Sequence, residues 1–62
     1  MAIYKPYKQG TMDKRQARVM AAVGDVANLR MIMDGTNYKS VSAVAALVDS
    51  LVEAELLQAI AA

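Results

Sequence analysis

The stretch Val41 to Ala54 constrains this chain most. On a helical wheel of roughly 100° per residue, Val41, Val44, Ala45, Leu47, Val48, Leu51, Val52 and Ala54 cover an arc of about 200°. Asp49, Ser50 and Glu53 leave only a narrow polar strip. A helix this apolar must be covered on more than one side. A chain of 62 residues has little material with which to cover it. It has no cysteine and no histidine, so neither a disulfide nor a Cys/His metal site can make up the difference.

The rest of the sequence offers one other long helical pattern. Thr11 or Asp13 suits its N-terminus, because both side chains can accept from free backbone amides. Val19, Ala22, Val26, Leu29 and Met33 recur at helical spacing, widened by Met20, Val23 and Ala27. Gly24 lies inside this pattern. An unbroken helix tolerates a glycine at about 1 kcal/mol, and a break there is the alternative. Asp34-Gly35-Thr36-Asn37 is the clearest stop, with Gly35 in the role of a left-handed cap and Asn37 also turn-prone. Ser40 or Ser42 then opens the second helix. Residues 1–10 stand apart as an extended arm or a short edge strand, because Pro6 forbids a helix, biases Lys5 toward extended backbone and lacks a ladder donor.

The expectation is an all-α fold. An extended N-terminal arm at residues 1–10 precedes a helical hairpin over 11–62. Its helices run over about 12–34 and 40–60, with a turn at 35–39. A two-helix antiparallel hairpin covers only part of a 200° face, so a homodimer forming a four-helix bundle is the simplest completion.

Charge is distributed unevenly. Residues 1–18 carry Lys5, Lys8, Lys14, Arg15 and Arg18 against Asp13, whereas the remainder has Arg30 and Lys39 against five carboxylates. A basic front on an acidic body points to an anionic partner. Tyr4, Lys5, Tyr7, Lys8, Lys14, Arg15 and Arg18 form the candidate partner-binding arm, since lysines reach phosphates and tyrosines stack on bases. Val19, Val23, Val26, Arg30, Met33, Val44, Val48, Leu51 and Glu55 are the candidate interface residues. Hairpin geometry pairs Glu55 with Arg15 and leaves Arg30 for a second subunit or partner. Ile32 and Leu57 fall on the polar sides of their wheels and form a possible second contact surface.

Catalysis has no footing in these residues: there is no imidazole, thiol, glycine-rich phosphate loop or metal-ligand spacing, and no cofactor is expected. The apolar stretch from Val41 carries Asp49, Glu53 and Glu55, which argues against a membrane span. No signal-peptide pattern opens the chain, so the cytoplasm is the expected compartment. The expected function is that of a small, self-associating, non-enzymatic interaction or regulatory protein. It binds a macromolecular partner, another protein or a nucleic acid, through its apolar helix faces and basic arm. A structural subunit of a phage particle or filament is an alternative.

Two resemblances bear on the nucleic-acid alternative. The order strand, helix, helix within this length resembles the ribbon-helix-helix repressors, which implies a dimeric DNA-binding regulator. Ser42 to Leu57, SAVAALVDSLVEAELL, looks like the recognition helix and following turn of winged-helix regulators. Glu55 stands where that pattern has a turn glycine, and no wing strands are read after it.

Overall fold

Three helices and three short strands make up residues 2–60, the part of the chain that the computed structural model describes. In chain order they are β1 (Ile3–Pro6), α1 (Lys14–Val23), β2 (Ala27–Asn28), α2 (Leu29–Thr36), α3 (Val41–Glu53) and β3 (Leu57–Ile60). The fold is mixed α/β, and the expected all-α hairpin and four-helix bundle are both incorrect. The strands form one antiparallel sheet in the order β2-β1-β3.

The long first helix does not exist, because Gly24 breaks it. Gly24 ends α1 at φ 60°, ψ −126°, backbone that a residue with a Cβ avoids. The chain then passes through two extended residues, Ala27 and Asn28, before α2 begins. The Asn28 side chain caps α2 by accepting from Met31 N–H at 2.9 Å. At the other end of α1, Asp13 and Gln16 form a reciprocal capping box: Asp13 Oδ1 accepts from Gln16 N–H at 2.8 Å, and Gln16 Oε1 accepts from Asp13 N–H at 3.1 Å.

Gly35 is not the cap of the next helix. It lies within α2, where a Cβ would fall 2.9 Å from Ala22 Cβ, so its role is to let α1 and α2 approach. The left-handed residue is Asn37, at φ 61°, whose amide closes back on Met33 O at 3.1 Å. Ser40 caps α3 through Ala43 N–H.

The second helix also ends early, at Glu53 instead of about residue 60. Leu56 N–H donates to Leu51 O at 2.9 Å and Glu55 N–H to Val52 O at 3.0 Å. This is a Schellman closure, with Glu55 at φ 63° in the place usually held by glycine. Leu56 and Leu57 are thereby turned into the core, and β3 runs back along β1.

β1 is the central strand, although it ends on a proline. Tyr7 N–H donates to Leu56 O at 3.0 Å. Strand alternation therefore turns residues 5 and 7 toward β3 and Pro6 toward the other side. β2 pairs only with Ile3 and Tyr4, so no ladder partner stands opposite the missing Pro6 donor.

The core is built from Val19 and Val23 of α1, Ile32 of α2, Val44, Val48 and Leu51 of α3, and Ala27, Leu56 and Leu57 of the sheet side. Tyr4 packs against it from β1. The middle of the wide apolar arc of α3, Val44, Val48 and Leu51, is thus covered by its own chain, with α1, α2 and the sheet packed on it, while Val41 and Ala54 at its ends stay exposed. Among the described residues, no helix is long and apolar enough to cross a membrane.

Candidate functional site: a basic rim around the start of α3

The structure redistributes the residues expected at interfaces. Val19, Val23, Val44, Val48 and Leu51 are fully or almost fully buried within the chain. Ile32 and Leu57 are buried too and form no second contact surface. Val26, expected inside, is 50% exposed beside β2. The reversals at Val26 and at Ile32 of α2 follow from Gly24. The break resets the helical phase, so Ile32 and Thr36 point inward in place of a stripe continued from Val19.

The basic arm is also divided. Tyr4 is committed to the core, and Lys5 stands on the outer side of the sheet by strand alternation. Tyr7 is 51% exposed, and Lys8 lies over its ring at 5.3 Å. Lys8, not Arg15, is the partner of Glu55: Nζ and Oε2 are 3.0 Å apart on a solvent-exposed pair. Lys8 N–H also donates to Glu55 O at 3.0 Å, which ties the stem after β1 to the turn before β3.

Arg15 and Arg18 remain together, one turn apart on α1. Their guanidinium groups lie 5.7 Å and 5.4 Å from the centre of the Tyr38 ring, within cation–π range. Arg18 Nε donates to Thr36 O at 3.1 Å, at the C-terminal end of α2 where carbonyls lack helical partners. That bond does not use the two Nη groups, the ends with which a guanidinium forks a phosphate. Thr36 is itself buried; its hydroxyl donates to Ile32 O at 2.9 Å and accepts from Tyr38 N–H at 3.3 Å. The backbone that carries Tyr38 is therefore fixed from below, and both arginines are laid on its ring.

Tyr38 and Lys39 lie in the turn that leads directly into α3, next to the Ser40 cap. On the other side of the same entrance, Leu29, Arg30 and Met33 of α2 and Val41 of α3 line one open groove. Arg30 is exposed there, and Val41 is 58% exposed. Arg15, Arg18, Arg30 and Lys39 thus gather near the first turn of α3, whereas Lys14 opens α1 toward the far end of α3, where Gln16 Nε2 donates to Ser50 Oγ at 3.1 Å. Among the described residues, the one ion pair is Lys8–Glu55, so none of these five is neutralised by a carboxylate at contact distance. The acidic residues of α3, Asp49 and Glu53, occupy its last two turns. The helix is therefore basic around its entrance and acidic at its far end.

Tyr38 is the residue that sequence reasoning missed. The available signal was an aromatic-basic pair, Tyr38-Lys39, set immediately before a serine cap. α2 and α3 are joined by Asn37–Ser40, the short connection of a helix-turn-helix unit. A strand does follow the recognition-like helix, and Glu55 adopts the left-handed conformation that the winged-helix pattern assigns to glycine. The strand's sheet partner, however, comes from the N-terminus. The ribbon-helix-helix comparison fits less well, because β1 is paired on both edges within its own chain. No family model, curated protein or solved structure matches this chain.

Proposed function

We propose that this chain is a small non-enzymatic regulatory protein that binds duplex DNA. It does so with α3 entering the major groove by its N-terminal end. The observation that carries the reading is the convergence of Arg15, Arg18, Arg30 and Lys39 on that end without carboxylate partners. Helix-turn-helix proteins present the N-terminal residues of the second helix to base edges, while flanking cations hold the phosphates. Here Arg15 and Arg18 flank from α1, Arg30 from α2 and Lys39 from the turn. The acidic end of α3 is kept away from the backbone by the same polarity. Much of the apolar helix surface forms the core, and the apolar surface left outside it, Val26, Met31 and the groove of Leu29, Met33 and Val41, is the alternative site for a protein partner. A second copy on a neighbouring half-site is compatible with this docking and is not required by it.

Fluorescence anisotropy with labelled 24-base-pair duplexes tests the reading over a salt series. Affinity is expected to fall steeply with salt, and Arg15→Gln, Arg30→Gln and Lys39→Gln are each expected to reduce the log–log slope by about 1. Lys5→Gln, on the outer side of the sheet, is expected to change little. Absence of duplex binding at about 50 mM salt, a range where phosphate contacts are strong, would overturn the reading. Slopes unchanged by all three substitutions would do so too.

A further inference from the structure

Beside the start of α3 the core stays open at one flank. α2 turns Ile32 and Thr36 inward, and its adjacent flank carries Leu29 and Met33, one helical turn apart and half-buried against the core. Exposed Val41 stands across from them on α3, and the apolar groove so formed has a volume of about 430 Å³. Arg30 is the fourth lining residue and the only polar one. It is exposed, and among the described residues no carboxylate pairs with it. Size selects the occupant. A stable protein interface takes about 20–30 residues a side, and four line this groove. The other exposed apolar residues do not extend it: Met31 lies about 160° around α2 from Leu29 and Met33, and Val26 stands beside β2. The volume is that of a small-molecule site, typically about 300–1,000 Å³, lined by apolar side chains with few polar groups. The free charge of Arg30 calls for an anion, and a guanidinium fork matches a planar carboxylate.

We infer that this groove binds a small amphiphilic carboxylate, with its hydrocarbon chain between Leu29, Met33 and Val41 and its head group on Arg30. Met33 supplies a flexible wall that adapts to an unbranched chain. One consequence rests on the DNA-binding reading above, whereas the site itself does not. An Arg30 forked to a ligand carboxylate no longer neutralises a phosphate, and Val41 is the first residue of the helix placed in the major groove. The bound carboxylate therefore lowers affinity for duplex, and duplex lowers affinity for the carboxylate by the same factor.

The experiment titrates octanoate, octanol and octylammonium, alike in chain and different in head group, into the full chain without DNA. The methyl resonances of Leu29, Met33 and Val41 are followed by NMR. Octanoate is expected to shift all three and to bind about five- to tenfold more tightly than octanol, with octylammonium weaker still. From hexanoate to decanoate, affinity is expected to rise about two- to fourfold per methylene, fourfold being the limit for full burial. Arg30→Gln is expected to abolish the preference for octanoate over octanol. Val41→Ala, at an exposed position, should weaken both, and Met31→Ala, on the other flank of α2, should change neither. In the anisotropy assay, with sodium acetate at matched concentration as control, saturating octanoate should give the parent chain the reduced salt slope of Arg30→Gln and leave that variant's slope unchanged. Equal binding of octanoate and octanol would overturn the role of Arg30. No methyl shift with any carboxylate would overturn the inference and leave the groove to a protein partner. Shifts that follow chain concentration without ligand would give the groove to a second copy and overturn it equally. Octanoate binding by a chain that binds no duplex would overturn the DNA reading and leave this site standing, and duplex binding indifferent to octanoate would overturn the coupling alone.

Discussion

Substituting Gly24 by alanine distinguishes the observed fold from the continuous helix that the apolar spacing suggests, because the two predict opposite signs. Gly24 has φ 60° and ψ −126°. The left-handed well open to L-residues has ψ near +30 to +60°, so alanine would sit outside it, in backbone that costs on the order of 1–3 kcal/mol. A Cβ built at Gly24 meets no atom within 4 Å, so the whole penalty is conformational and no neighbour can relieve it. Alanine also restricts the unfolded chain, which stabilises by about 0.4–1 kcal/mol. The net expectation is a loss of about 1–2 kcal/mol. For a domain of this size, that is a fall in Tm of roughly 5–15 °C. Urea and thermal unfolding followed by circular dichroism measure it directly. Were residues 12–34 one helix, Gly24→Ala would stabilise by about 1 kcal/mol. A rise in Tm, with an unchanged denaturant slope, would refute the break and with it the placement of α2 and the basic rim.

Other substitutions probe other joints of the structure. Gly35→Ala brings a methyl to within 2.9 Å of Ala22 Cβ and is expected to destabilise by about 1–2 kcal/mol despite its better helix propensity. Ala22→Gly in the same chain should recover part of that loss in a double-mutant cycle, whereas strict additivity would show that α1 and α2 do not meet there. Glu55→Gly removes a left-handed non-glycine residue and a solvent-exposed ion pair together. Relief of about 1 kcal/mol outweighs the screened pair and the added unfolded-state freedom, so chemical denaturation should find the variant as stable as the parent or slightly more so. Glu55→Val, which keeps a Cβ and adds a branch, should instead be clearly less stable; the reverse order of the two would dispose of the Schellman turn.

The features legible in the sequence were those determined locally. Asp13 and Ser40 announce themselves through capping chemistry, the stop near Asn37 is legible although Gly35 is not its cap, and the apolar spacing around Val44, Val48 and Leu51 marks a buried helix face. What stayed hidden depends on contacts between distant parts of the chain. Leu57-Gln58-Ala59-Ile60 contains good helix formers and becomes a strand because β1 lies beside it. Glu55 ends a helix without the glycine that would have signalled the end. Pro6 argued against a central strand, and nothing local shows that its missing donor faces the side on which β2 has already stopped. Ile32 was assigned to the outside by continuing a helical phase through Gly24, and one glycine sufficed to invert it. The basic cluster was legible as composition but not as geometry. Arg15 and Arg18 could be placed on one turn of helix, whereas the Tyr38 ring that gathers them comes from a loop twenty residues later.

The pairing of Ile3 with Ile60 has a consequence for how this molecule is made. Its central strand is synthesised before the helices, and one of that strand's two neighbours only after all three of them. While the ribosome is still adding α2 and α3, β1 has an open edge that nothing in the emerged chain can fill. Leu56 and Leu57, both part of the core, also emerge only after α3. The long loop that must close before β1 and β3 meet makes folding a late and concerted event. A nascent chain stalled before residue 56 would be held by its helices alone, with an unpaired strand exposed and part of its core missing.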